Sequence, residues 1–232
     1  MKTIYLLLTA FLITINADAQ KITFNDMMKS ALHMHDTAST WPAEKAVADY
    51  YGKVIKEYPD EWLSAYWATY IYTQLANSLG RADGSPDNVK KADLLDEAQR
   101  TQDVAMKRYQ GDSAEIKSDL YIMQSFIYYF RNVYGEEEEK ESWIAKADEE
   151  MKKALQFNSY NPLAYVLMGT SMVRSDNFKE VIAGRLLLQK AKALFADVDE
   201  HRALTTQWNE EWLRFFWLGH ADNMVKKTLF GE

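Results

Sequence analysis

The stretch that decides the fold is Trp143–Phe195, WIAKADEEMKKALQFNSYNPLAYVLMGTSMVRSDNFKEVIAGRLLLQKAKALF, whose apolar residues recur at helical spacing across two breaks. Ala147, Met151 and Ala154 fall at i, i+4 and i+7, one face of a helix. Ser159-Tyr160-Asn161-Pro162 interrupts it, and Tyr165, Met168, Gly169 and Met172 open a second helix. After a turn at Ser175-Asp176-Asn177, Gly184, Leu188 and Ala191 repeat the first spacing in a helix ending near Phe195. The same small-large-small frame occurs upstream at Val47/Tyr51/Val54 and Ala98/Gln102/Ala105. A helical hairpin cannot bury its apolar side alone. Small residues at fixed positions let neighbouring helices approach, and the large residue fills the gap between them.

The spacing Tyr165-x2-Met168-Gly169-x2-Met172 resembles the W-x2-L-G-x2-Y pattern of a tetratricopeptide (TPR) repeat, and Ala147/Met151/Ala154 followed by Pro162 resembles its A-x3-F-x2-A half. The frames start at 47, 98, 147 and 184, wider than the TPR period of about 34 residues, so the array is degenerate. This resemblance implies an all-α, TPR-like α-α superhelix of about four helical hairpins plus a terminal helix. The order of parts is also similar to a group of small exported TPR-like proteins of Gram-negative bacteria. The matching parts are the Glu61-Trp62 helix start, Asp93–Ala98, Ser113–Ile116, Asn161-Pro162 and Leu187-Leu188-x2-Ala191-x3-Phe195. The chain departs from that pattern at Phe178–Val181 and after Trp208.

Residues 1–19 are expected to be a signal peptide rather than part of the fold. Lys2 precedes the apolar run Ile4–Ile15, and Ala17-Asp18-Ala19 supplies a small-x-small cleavage site. The run is much shorter than the roughly 20 residues that cross a bilayer. Residues 20–232 then form a single TPR-like helical domain, periplasmic or secreted. Its net charge of −7 is unchanged by removal of Lys2 and Asp18, and argues against nucleic acid or anionic lipid as the main partner. With no cysteine there is no disulfide, no thiolate nucleophile, no Cys-ligated zinc and no lipidated cysteine. Nine Gly and four Pro in 232 residues leave few helix breakers.

Taken in order, Phe24, Met27, Met28, Ala31, Leu32 and His35 form one helical stripe. Thr40 before Trp41-Pro42 caps a second helix running to about Glu57. An aromatic third helix, Glu61–Leu79, stops at Gly80. Ser85-Pro86 is expected to cap the fourth, which carries Leu94, Leu95, Ala98, Gln102 and Ala105. The fifth starts at Ser113 with a core stripe of Ile116, Leu120, Met123, Ile127 and Phe130, and Glu136–Glu139 start or precede the sixth. Thr206 to about Lys227 is expected as a closing helix with Trp208, Trp212 and Phe215 on one line, capping the array. Phe216 and Trp217 lie off that line as a possible oligomer contact.

No catalytic signature is present, nor a phosphate-cradling glycine loop or a metal-binding spacing, so neither catalytic residue, metal nor cofactor is expected. His33 and His35 point to different faces of one helix and cannot chelate together, and His35 continues an apolar stripe as a hydrogen-bonded, half-buried histidine. In TPR arrays the first helix of each pair lines the groove, which selects the third, fifth and seventh helices. Their residues off the core stripe are Tyr66, Tyr70 and Gln74, then Tyr121, Gln124 and Tyr128, then Thr170 and Arg174. Tyrosine offers a flat apolar ring with a polar tip, suited to a peptide or a sugar ring. The expected function is a non-catalytic scaffold for a protein or peptide partner in the cell envelope, with a small-ligand module for a saccharide or peptidoglycan fragment as the alternative. An enzyme would be favoured by a buried carboxylate pair, or by a histidine beside a carboxylate in one cleft. Oligomeric state stays open.

Overall fold

The computed structural model describes residues 22–173 and 177–196, and among them every regular element is helical. Helix α1 spans Phe24–Thr37, α2 Trp41–Glu57, α3 Leu63–Ser78, α4 Lys91–Arg108 and α5 Ala114–Tyr134. A 3-10 turn at Glu137–Glu139 leads into α6 (Lys140–Phe157), followed by α7 (Pro162–Met172) and α8 (Phe178–Ala196). The most extensive pairings are α3 with α4, α5 with α6 and α7 with α8, so the chain builds successive hairpins. Helix α3 also touches α5, and α5 touches α7, which sets the first helices of these three hairpins side by side. Helix α2 packs more on α3 than on α1. No described helix is long and apolar enough to cross a membrane.

The helix starts follow local chemistry. Thr23 and Asp26 form a reciprocal capping box on α1. Thr40, with Pro42 in the first turn, caps α2, and Ser113 Oγ accepts from Ile116 N (3.2 Å) at the start of α5. Asn161 Oδ1 accepts from Leu163 N (3.1 Å) ahead of Pro162. Ser85 behaves differently from the expectation. Helix α4 starts at Lys91, and Ser85 Oγ instead accepts from Gly80 N (2.8 Å), pinning the loop onto the end of α3, where Gly80 has φ +80°.

All twelve residues of the repeated frame are buried. Three of the four large positions are filled by Tyr51, Met151 and Leu188. At the other, Gln102 donates Nε2 to the Leu120 carbonyl (2.7 Å), joining α4 to α5 where an apolar side chain would only fill space. The tightest approach is between α7 and α8. A Cβ built on Gly169 would lie 2.8 Å from Leu188 Cγ and 2.9 Å from the Gly184 carbonyl, and one on Gly184 would lie 2.9 Å from the Gly169 carbonyl. At Gly52, inside α2, the same construction meets nothing within 4 Å.

Two glycine substitutions should therefore have opposite signs. Gly169→Ala must push two backbones apart and is expected to lower stability by about 1–3 kcal/mol. Gly52→Ala should raise it by about 0.5–1 kcal/mol through helix propensity. Urea unfolding of the two variants beside wild type measures both; a stabilised Gly169→Ala would show that the α7–α8 contact is not tight.

Candidate functional site

Helix α6 packs closely on α5 but only slightly on α7, and a hollow of about 180 Å³ opens between α3, α5, α6 and α7. Its walls carry Tyr70, Gln74 and Asn77 from α3 and Ser125, Phe126, Tyr129 and Phe130 from α5. Helix α6 adds Asp148 and Met151, and α7 adds Met168, Thr170 and Ser171. A second hollow, about 280 Å³, is lined by His35 from α1, Trp41 and Glu44 from α2, and Tyr70, Gln74 and Ser78 from α3. Because Tyr70 and Gln74 belong to both linings, the hollows abut along α3. Side by side, with Tyr70 and Gln74 between them, the two hollows extend from α1 and α2, past α3 and α5, to α7, and together are termed the trough.

The trough wall is aromatic with scattered polar atoms. Tyr70 is only 3% exposed, and its hydroxyl is held neutral, with its pKa well above the usual phenol value, first by burial and then by the Glu44 carboxylate. Ser125 is spent on structure, donating Oγ to the Ala147 carbonyl (2.8 Å). Tyr134 donates its hydroxyl to Asn77 Oδ1 (2.8 Å). Thr170 Oγ1 is buried with no hydrogen-bond partner among the described residues. In the second hollow, His35 Nδ1 lies 2.9 Å from Glu44 Oε2, which ties α1 to α2; the hydrogen bond is as expected, the ring is buried rather than half-buried, and a histidine beside a carboxylate in one hollow is the arrangement that would favour an enzyme. No group of three described His, Asp or Glu residues is placed to hold a metal ion.

Of the residues expected in the groove, the structure brings Tyr70, Gln74 and Thr170 together. Tyr66 is interior at 2% exposure, edge-on to Trp62 and Trp67, with burial raising its hydroxyl pKa far above the usual range. The α5 trio faces other helices instead. Tyr121 stacks on Phe157 of α6 at 5.5 Å, Gln124 exchanges amide hydrogen bonds with Gln99 of α4 (2.8 and 3.0 Å), and Tyr128 stacks on Trp143 of α6 at 5.6 Å. The reason is that α5 is flanked by both α4 and α6, so the side opposite one apolar stripe is a second helix contact rather than open surface. The α5 residues that do reach the trough are Ser125, Phe126, Tyr129 and Phe130, of which only Phe130 carries a sequence expectation, as part of the core stripe. Arg174, Phe216 and Trp217 lie outside the described residues. No family model, curated protein or solved structure matches the chain.

One buried polar contact sets the position of the α7 wall. Asn161 donates Nδ2 to Asp119 Oδ1 (2.6 Å) and to Ser118 Oγ (3.1 Å) on α5 while its own oxygen caps α7. Asp119 is fully enclosed, and its pKa is pushed up to about 7 by burial, against the opposing effect of the Asn161 hydrogen bond and with a small further rise from Glu115. The folded value is raised above 3.8, so the stability this carboxyl contributes is full below the unfolded pKa and lost as pH rises through about 7. Wild-type urea midpoints should fall between about pH 4 and pH 7. Asp119→Asn, which keeps the accepting oxygen, should flatten that slope. An unaltered slope in the variant would assign the pH dependence to other groups.

Proposed function

We propose that this protein is a non-catalytic, exported, TPR-like binding module that receives an extended peptide segment of a protein partner in the cell envelope. The observation that carries this reading is the shared Tyr70–Gln74 wall, which sets two hollows side by side across several helices. An extended chain would place one apolar side chain between Phe126, Met151 and Met168, and its peptide groups against Gln74, Asn77 and Ser171. The only charged side chains among the described linings are Asp148 in the first hollow and Glu44 with its partner His35 in the second, which favours a neutral or basic segment. The TPR resemblance and the apolar, small-residue leader at 1–19 support the family and the export parts of the reading.

A second reading, a small saccharide-like ligand, is favoured by Thr170 Oγ1, a buried hydroxyl without a partner on an aromatic wall. Blocking each hollow separately distinguishes the two. Random peptides displayed on a carrier are panned against the full chain, and binders are re-tested on Thr170→Trp, which fills the first hollow, and Ser78→Trp, which fills the second. An extended ligand should lose about tenfold or more in affinity on both variants. A small molecule seated in one hollow would respond to Thr170→Trp alone, and peptides indifferent to both would sink the trough as a binding surface.

A further inference from the structure

The second hollow contains a carboxylate with one oxygen engaged and the other without a hydrogen bond among the described residues, on a lining that includes no described lysine or arginine. We propose that this hollow is a recognition site for a primary alkylammonium group, seated on Glu44 between Trp41, Tyr70 and Gln74. The ammonium is a lysine side chain of a bound segment or a free amine. The first of these sources rests on the reading of the trough as a binding surface; the site itself does not.

Charge and access come first. Glu44 stands in the first turn of α2, and its side chain is 24% exposed against 8% for His35, so a solute entering the hollow meets the carboxylate. Its charge acts across the hollow: burial first and Glu44 second raise the hydroxyl pKa of Tyr51 and of Tyr70 above the usual phenol range. The next residue along, Lys45, is paired with Asp49 instead. Trp41 spends its Nε1 on the Leu75 carbonyl (3.3 Å), so the indole serves as wall and leaves the carboxylate alone. A charge walled by rings is screened less than one on open surface, and a cation beside ring faces gains further attraction.

The kind of cation follows from the acceptors. A guanidinium binds a carboxylate best through two parallel N–H···O bonds, one to each oxygen. Glu44 Oε2 already faces His35 Nδ1 at 2.9 Å, so a guanidinium would lose that fork or displace the histidine that ties α1 to α2. An ammonium is a compact charge with three rotatable donors, and it needs only Oε1. Gln74 supplies a second acceptor, since its side-chain amide makes no hydrogen bond among the described residues and it lines both hollows. The alkyl stem then lies along Tyr70, the wall shared with the first hollow, which is the direction in which a longer ligand would continue.

Affinities for the full chain are measured by NMR titration at fixed pH and ionic strength with n-butylammonium, n-propylguanidinium and 1-butanol as probes. Butylammonium should bind about tenfold or more tightly than butanol and about threefold or more tightly than the guanidinium. Glu44→Gln keeps an oxygen for His35 and removes the charge, and should weaken butylammonium about tenfold. Ser78→Trp, which fills the second hollow and leaves Glu44 in place, should abolish binding; if Glu44→Gln does not fold, this variant and the probe order decide. In panned peptides, replacing a lysine by norleucine should cost about tenfold on wild type and nothing on Glu44→Gln, as expected for a direct pair. Butanol or the guanidinium binding as tightly as butylammonium, or equal butylammonium affinity in Glu44→Gln and wild type, overturns the site, and peptides bound without lysine would then leave the trough reading standing. If butylammonium binds in the expected order and no peptide does, the source is a free amine: the site stands and the peptide reading falls.

Discussion

At Gly169 and Gly184 two helix backbones meet with no room for a methyl group between them, and the rest of the array depends on contacts of that kind. A helix in such a chain is apolar along one stripe and gains little from forming alone. It is held because small residues one turn either side of a large one let the next helix close over it. Ala98 and Ala105 do this around Gln102, and Ala147 and Ala154 around Met151. The pairing is close between α5 and α6. Where it is slight, as between α6 and α7, a hollow opens. The trough is thus a consequence of uneven packing within a regular frame.

Polar groups buried in this array tie neighbouring helices together. Gln102 holds the α5 carbonyl at Leu120, Asn161 joins the start of α7 to Asp119, and His35 with Glu44 fastens α1 to α2. Each replaces a water contact with a directional one, which fixes the angle at which the next helix leaves. Burial raises the pKa of the Asp119 carboxyl to about 7, and its position couples the placement of the α7 wall to protonation. The trough wall and the pH response of the fold therefore share a residue contact, Asn161 with Asp119, that lies outside the trough.

The helix positions were legible in the sequence because each depends on nearest neighbours. Thr40 with Pro42, Ser113, Asn161 with Pro162 and Gly80 all act within one turn, and the structure uses each where its spacing indicates. Ser85 is the instructive exception: as a hydrogen-bond acceptor it could serve the helix ahead of it or the one behind, and only the folded loop chose Gly80. The frame residues were equally legible, since 3.6-residue periodicity assigns a face without knowledge of what covers it.

What the sequence by itself determined is the all-α class, the succession of hairpins and the buried stripe of each second helix, because helix period and capping are local properties of the chain. Only the tertiary structure decided which remaining surface is open. Tyr121, Gln124 and Tyr128 share α5 with Phe126 and Tyr129 and have comparable side-chain chemistry, yet the first three meet α4 and α6 while the last two face the trough. A helix packed on two flanks has two covered sides, and the direction left over is set by the crossing of helices far apart in sequence. No pattern along one helix contains that information, so the trough could be expected on the first helices but its wall had to be seen.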